Sequence, residues 1–120
     1  EGGVEYLGVK TGSDLDELYR SSQIVAYPTI DEPWGLVPIE GMAQGRPTIV
    51  GTGGPRETIL DGLTGFHVDP LKVNEIAGAI MRLLGDFGLC RKMGTEGRER
   101  AVRNYDISRS YEIVDKVFSV

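Results

Sequence analysis

The chain has 120 residues, of which 40% are hydrophobic and 26% are charged, and its net charge is -5 at pH 7. This length supports one hydrophobic core, so we expect a single domain. The negative charge argues against nucleic acid as a partner, because phosphate backbones would be repelled. No apolar run approaches the roughly 20 residues that cross a bilayer, and the start EGGVEYLGVK lacks a signal-peptide pattern. We therefore expect a cytoplasmic protein without a membrane span.

Short β-branched runs alternate with helical patterns along the chain, which predicts βαβ units and a parallel sheet. Four strands are predicted, bounded by glycine or proline, over residues 4–7, 24–27, 48–50 and 66–68. The predicted fold class is α/β: a partial Rossmann-like domain of about four parallel strands with flanking helices.

The first predicted helix covers residues 13–20, between the first two strands. Ser13 is a preferred N-cap residue, and acidic residues follow it in the first turn, where they complement the helix dipole. Leu15, Leu18 and Tyr19 recur at i, i+3 and i+4, so this helix is predicted to be amphipathic.

The second and third strands are each followed by another predicted helix. Residues 36–44 can be helical because Pro38 falls in the first turn, and Gly45 stands at the C-terminal stop. Pro55 opens a short helix that ends by Gly62. From Lys72 onward the chain is predicted to be helical, with further segments over 89–102 and 108–118. The segment that begins at Lys72 has an apolar stripe formed by Ile76, Ala79, Ile80, Leu83 and Leu84.

Two loops at the predicted carboxyl ends of strands have unusual compositions, TIDEPWG at 29–35 and GTGG at 51–54. Ligands of parallel sheets bind outside such strand ends. Glu32 lies in the first loop and Glu40 in the second turn of the following helix. The start of that helix, between the two carboxylates, attracts phosphate. A diphosphate held there would leave one carboxylate on each side to accept hydrogen bonds from sugar hydroxyls.

The E-x7-E spacing, with EPWGL and IEGMAQGRP around it, resembles the signature of the retaining GT-B glycosyltransferases that include glycogen and sucrose-phosphate synthases. The resemblance extends over EYLG, DLDELY, AYPT, GTGGPRETI and DGLTGFHVDP, in the family's order. It indicates the C-terminal, donor-binding domain of a group 1, family 4 type enzyme. The implied activity is transfer of a hexose from a nucleoside diphosphate sugar, such as a UDP-sugar, to an acceptor hydroxyl.

The same resemblance implies a role for each matching residue. Glu32 would lie by the hydroxyls of the transferred sugar and orient it, and Glu40 would take the ribose hydroxyls of the nucleotide. Gly53 and Gly54 would let the chain pass close beside the donor. The amides facing the diphosphate would be those of Gly35, Leu36 and Val37. The resemblance implies no cofactor and no required metal.

The family's C-terminal domain begins with two further strands, and the loop after the first of them supplies an arginine and a lysine to the diphosphate. We expect residues 1–120 to be one partial domain that lacks these strands and the acceptor domain, and to be inactive alone. The family's strand order is 3-2-1-4-5-6, and this chain would hold strands 3 to 6. Residues 4–7 would then move beside 24–27, or an exposed edge would pair with a second chain in a homodimer.

Two other functions stay open: a non-catalytic folded fragment that self-associates through an open sheet edge, and a nucleotide-sugar epimerase of related fold. Trp34 is interpreted as an anchor for its loop or as a neighbour of the sugar ring. Gly41 stands where the family commonly has alanine, which weakens the helix by about 1 kcal/mol.

Other residues with metal or redox chemistry favour structural interpretations. Asp14 and Asp16 resemble the D-x-D metal motif of a different glycosyltransferase fold, but both fall in the first turn of a predicted helix. His67 alternates with its neighbours in a strand and has no ligand cluster around it in the sequence. Cys90 is the only cysteine, so no disulfide can form within the chain.

Overall fold

The computed structural model describes residues 3–105. Within this range the chain forms five helices and three strands. In chain order they are α1 (Gly12–Ser21), β1 (Val25–Tyr27), α2 (Leu36–Ala43), β2 (Thr48–Val50), α3 (Pro55–Thr58), β3 (Gly65–His67), α4 (Val73–Leu84) and α5 (Phe87–Tyr105). None of these helices is long and apolar enough to span a membrane.

The three strands form one parallel sheet in the order β1-β2-β3. The central strand β2 is buried along its whole length. Successive side chains of a strand point to opposite faces, and Ile49 and Val50 accordingly belong to two different hydrophobic clusters. The α/β prediction is therefore confirmed, with flanking helices and three of the four predicted strands.

Helices complete both clusters. Val50 packs with α2, the end of α3 and the second half of α5, through Met42, Ala43, Ile59 and Ala101. Ile49 packs with Val68, which follows β3, and with α4 and the first half of α5 through Leu83, Cys90 and Met93. The long helix α5 thus contributes to both clusters, and it fixes α2 relative to the sheet.

The predicted strand over residues 4–7 is wrong. These residues are in no strand or helix, and Val4 and Tyr6 are 89% and 93% exposed. A strand is stabilised by a hydrogen-bonded neighbour, and the described part of the chain supplies none at this position. The expectation that residues 4–7 move beside β1 is also wrong, because β1 pairs only with β2 in the described sheet.

Some helix boundaries and one stripe position also differ from the predictions. Thr11, not Ser13, is the N-cap of α1, and it makes no side-chain capping bond. Leu84 is 56% exposed and lies outside the packed stripe of α4, although Leu83 is fully buried. The long helix begins at Phe87, two positions before the predicted start, and the segment predicted over 108–118 lies outside the described residues.

Helix α5 crosses the end of α2 at very short range. A Cβ atom at Gly94 would lie 2.1 Å from the carbonyl oxygen of Gly45, so only glycine permits this crossing. Arg98 donates from Nη1 to the carbonyl of Ala43 at 2.6 Å, and Arg100 donates from Nε to the carbonyl of Thr58 at 3.0 Å. Both arginines satisfy carbonyls at helix C-termini, where a positive charge is favourable. They hold α2 and α3 in place, and these helices follow the loops after β1 and β2.

Candidate functional site

The loops after β1 and β2 are joined by their backbones. Glu32 and Gly53 form a parallel bridge beyond the sheet. The amide of Glu32 donates to the carbonyl of Thr52 at 3.2 Å, and the amide of Gly54 donates to the carbonyl of Glu32 at 2.7 Å. The two strands' pairing thereby continues into the loops, and Glu32 lies directly against the glycine pair.

The glycine pair is required by this loop-to-loop contact. Gly53 has φ +98°, and a Cβ there would lie 2.3 Å from the carbonyl oxygen of Glu32. A Cβ at Gly54 would lie 2.2 Å from the carbonyl oxygen of Pro33. The backbone of this chain is the close neighbour of both glycines. Their place beside a donor molecule stays a prediction.

Asp31 and Thr52 hold the turn that precedes Glu32. Asp31 has φ +47°, in the left-handed region that aspartate tolerates better than most residues. Its amide donates to Thr52 Oγ1 at 2.7 Å, and Thr52 Oγ1 donates to Asp31 Oδ1 at 3.2 Å. Thr52 is a functional residue that the sequence does not mark, apart from its hydroxyl among the glycines of GTGG.

The first turn of α2 opens next to these loops. Its N-cap is Gly35, with φ +114° and no side-chain capping bond. Gly35 is buried, and a Cβ there would lie 3.3 Å from Pro55 Cγ at the start of α3. Leu36 is 63% exposed and Val37 is half-buried. An N-terminus without a capping side chain leaves its first N–H groups for other acceptors. That the amides of 35–37 face a diphosphate stays a prediction.

The two predicted carboxylates have different surroundings. Glu32 is half-buried, with its backbone fixed by the second loop. Glu40 is half-buried in the second turn of α2, where its Oε2 accepts a hydrogen bond from the hydroxyl of Tyr19 at 2.8 Å. The structure therefore brings Glu32, Gly53 and Gly54 into direct contact, whereas Glu40 is tied to α1. The i, i+3, i+4 spacing of Tyr19 with Leu15 and Leu18 predicts only a place in the apolar stripe of α1.

Two further side chains near the loops make contacts within the protein. Trp34 is 46% exposed and packs edge-to-face against Tyr105, with ring centroids 6.3 Å apart, which favours its interpretation as a loop anchor. Arg56 follows the glycine loop and donates to the carbonyls of Gly51 at 2.7 Å and Val68 at 3.2 Å. Its guanidinium therefore donates to the backbone just after β2 and just after β3.

The residues considered for metal or redox chemistry take structural positions. Asp16 Oδ1 accepts a hydrogen bond from Gln44, and a ring nitrogen of His67 is hydrogen-bonded to the carbonyl of Ile59. Cys90 is buried and donates from Sγ to the carbonyl of Leu83 at 3.0 Å. Among residues 3–105, no three histidine, cysteine, aspartate or glutamate side chains form a group that could hold a metal ion.

Comparison with known proteins gives consistent matches. Residues 1–100 match the family model described as glycosyl transferases group 1. A D-inositol 3-phosphate glycosyltransferase of Salinispora tropica is 36% identical over 108 residues, which are 89% of this chain and 22% of that relative. The chain thus spans 22% of the length of this curated relative.

Solved structures show the same fold. Sucrose-phosphate synthase from Thermosynechococcus elongatus matches with a TM-score of 0.71 and 34% identity, over 85% of this chain and 27% of that one. The HepE protein of Anabaena, in complex with UDP and glucose, matches with a TM-score of 0.84 and 25% identity, over 100% of this chain and 33% of that one. These neighbours confirm the predicted partial Rossmann-like fold of GT-B type.

Proposed function

The chain belongs to the group 1 glycosyltransferases, and from this membership we propose that it forms the donor-binding part of a retaining enzyme. This enzyme would move a hexose from a nucleoside diphosphate sugar to an acceptor hydroxyl. Family membership favours this reaction over that of an epimerase of related fold.

The observation that carries the proposal is the joining of the two loops beside the start of α2. Glu32 is hydrogen-bonded through its backbone to Gly54, and a Cβ at Gly54 would lie only 3.0 Å from Trp34 Cα, next to the helix start. The backbone of Glu32 and the uncapped N-terminus of α2 are thus both next to Gly54. Carboxylates accept hydrogen bonds from sugar hydroxyls, and a helix N-terminus favours a diphosphate.

Each residue has a separate task in this proposal. Glu32 orients the donor sugar, and Glu40 accepts hydrogen bonds from the ribose. The first amides of α2, at Gly35, Leu36 and Val37, stabilise the leaving diphosphate, whose negative charge grows in the transition state. Gly53 and Gly54 act through the position of Glu32, because their close contacts are with its loop.

We take a uridine nucleotide as the first donor to test, because the HepE structure contains UDP and glucose. No metal is required in this scheme, since the helix amides face the diphosphate. The site carries the negative charges of Asp31, Glu32 and Glu40, so we expect this chain alone to bind a donor weakly, with a dissociation constant on the order of 1 mM.

We also propose a cytoplasmic location, and we expect catalysis to need the family's acceptor domain.

A proton–nitrogen NMR titration of this chain with UDP-glucose, UDP and GDP-mannose tests the proposal. We expect shifts at the amides of the proposed site, namely Gly35, Leu36, Val37, Glu40, Gly53 and Gly54. Glu32→Gln should weaken UDP-glucose about tenfold and leave UDP unchanged, because a hydrogen bond to a charged group is lost only where the sugar lies. Glu99→Gln removes the same charge from an exposed position on α5 and should change neither ligand.

The absence of shifts at several millimolar of every ligand would refute donor binding by this chain. Equal weakening of UDP and UDP-glucose by Glu32→Gln would refute the sugar-orienting role instead. These two results are distinguishable, because the first concerns the wild-type chain and the second concerns one contact.

A second candidate function is self-association, which the position of β1 favours. This strand forms one edge of the described sheet, with a neighbour on one side only. Exposed strand edges pair with other chains. An increase in mass with protein concentration, measured by light scattering or sedimentation, would support a homodimer, and a constant monomer mass up to about 1 mM would refute it.

A further inference from the structure

Two side-chain hydrogen bonds join helices α1 and α2. Tyr19 donates from its hydroxyl to Glu40 Oε2 at 2.8 Å, and Gln44 donates from Nε2 to Asp16 Oδ1 at 3.5 Å. Residues 16 and 19 are i, i+3 neighbours on α1, and residues 40 and 44 are i, i+4 neighbours on α2, so each pair lies on one helix face. The higher-numbered residue on α1 meets the lower-numbered one on α2, which makes the two helices antiparallel.

The shorter hydrogen bond, from Tyr19, is accepted by only one carboxylate oxygen of Glu40. Oε2 accepts the hydrogen bond from Tyr19, and within residues 3–105 Oε1 accepts none. A hydrogen bond to an ionised acceptor is short and strong, so it restricts the side-chain torsions of a half-buried glutamate. One oxygen of this carboxylate is thereby fixed within the protein.

We propose that Tyr19 is a positioning residue for the nucleotide. By holding Oε2, it directs Oε1 of Glu40 toward the ribose hydroxyls of a nucleoside diphosphate. This inference rests on the proposed function, in which Glu40 accepts hydrogen bonds from the ribose. Tyr19 does not touch the ligand; it acts through the carboxylate.

Without the hydrogen bond from Tyr19, the side chain of Glu40 would have to become ordered when the nucleotide binds, and this cost sets the expected loss of affinity. Ordering one flexible side chain at an interface weakens binding by about three- to tenfold. We therefore expect Tyr19→Phe to weaken UDP binding by this factor. Tyr19→Phe should not weaken the binding of a ligand without ribose hydroxyls, because such a ligand donates no hydrogen bond to Glu40.

The test compares UDP with 2′,3′-dideoxy-UDP by NMR titration of the whole chain and two variants. Wild type should prefer UDP. Tyr19→Phe should lose about three- to tenfold in affinity for UDP and keep its affinity for the dideoxy compound. Asp16→Ala removes the other hydrogen bond between α1 and α2, from Gln44, and leaves Tyr19 intact. This variant should therefore keep the wild-type preference for UDP over the dideoxy compound.

Each other outcome overturns the inference in a recognisable way. If Tyr19→Phe keeps the full preference for UDP, Tyr19 does not position Glu40, and the proposed function is unaffected. If Tyr19→Phe weakens both ligands equally, or if Asp16→Ala behaves in the same way as Tyr19→Phe, then attachment of α1 is the cause. If wild type binds both ligands equally, Glu40 does not contact the ribose, and if it binds neither, the proposed donor site itself is refuted.

Discussion

Gly41 faces the sheet from the middle of α2, and its replacement by alanine tests how closely that helix packs. A Cβ at this position would lie 2.9 Å from Thr48 Oγ1 and 3.2 Å from Val25 Cγ2. Both neighbours are in the core, with Thr48 0% and Val25 9% exposed. We expect Gly41→Ala to destabilise the protein, although alanine is the better helix former.

Two opposing effects determine the size of this loss. Helix propensity favours alanine by about 1 kcal/mol, and overpacking a close-packed interior costs about 1–3 kcal/mol. Thr48 cannot easily yield, because it is β-branched and buried and donates from Oγ1 to the carbonyl of Arg46 at 3.3 Å. Overpacking should prevail, and the net loss in unfolding free energy should be about 1 kcal/mol.

Gly78, in α4, provides the matched control. It also lies inside a helix, but a Cβ added there would have no neighbouring atom within 4 Å, so Gly78→Ala should stabilise by about 1 kcal/mol. The two variants should therefore differ by about 2 kcal/mol, which separates their urea midpoints by about 1 M.

Urea unfolding followed by circular dichroism at 222 nm measures these differences. Adding Thr48→Ala to Gly41→Ala should recover part of the loss relative to the sum of the single changes, because it removes the closest atom. An increase in stability for Gly41→Ala equal to that for Gly78→Ala would refute the close packing of α2 on the sheet.

Two more substitutions test the crossing of α5 and the turn before Glu32. Gly94→Ala should lower the free energy of unfolding by at least about 2 kcal/mol, because the added Cβ meets the carbonyl of Gly45. Gly97→Ala is the control: the nearest contact of its Cβ is at 3.6 Å, so the free energy of unfolding should change by less than about 1 kcal/mol in the same urea assay. Similar losses for both would contradict the crossing. Thr52→Val removes both hydrogen bonds to Asp31, so amide exchange in the loop over 29–35 should accelerate about fivefold, and an unchanged exchange rate would show that Thr52 does not hold the turn.

The parts of the fold that follow from local pattern were predictable. Pro38 in the first turn and Gly45 after the last turn predicted α2, and the structure places this helix over Leu36–Ala43. The strand residues around Ile49 are a short β-branched run after a proline, and they form the buried central strand. In these segments the local signals and the tertiary contacts favour the same structure.

Residues 4–7 show where local pattern was insufficient. Their composition is typical of a strand, but Val4 and Tyr6 are almost fully exposed, since a strand exists only with a partner and the pattern does not supply one. Tyr19 shows the same limit for the site. Its spacing with Leu15 and Leu18 predicted an amphipathic helix, and all three side chains are half-buried, although none belongs to either hydrophobic cluster of the described residues. The hydrogen bond to Glu40 joins residues 21 positions apart, which no periodicity could indicate.

The glycine pair of GTGG connects the family signature with the physics of the fold. Resemblance explains these glycines by closeness to the donor, whereas the geometry gives them a requirement that holds without any ligand: a Cβ at Gly53 would meet the carbonyl of Glu32. A larger residue at Gly53 would have to push the backbone of Glu32 away, and with it the carboxylate that we propose orients the sugar. Loss of sugar binding after such a substitution would therefore not show contact between the glycine and the donor. That distinction requires the position of Glu32 to be followed in the same variant, because both explanations predict the same loss of binding.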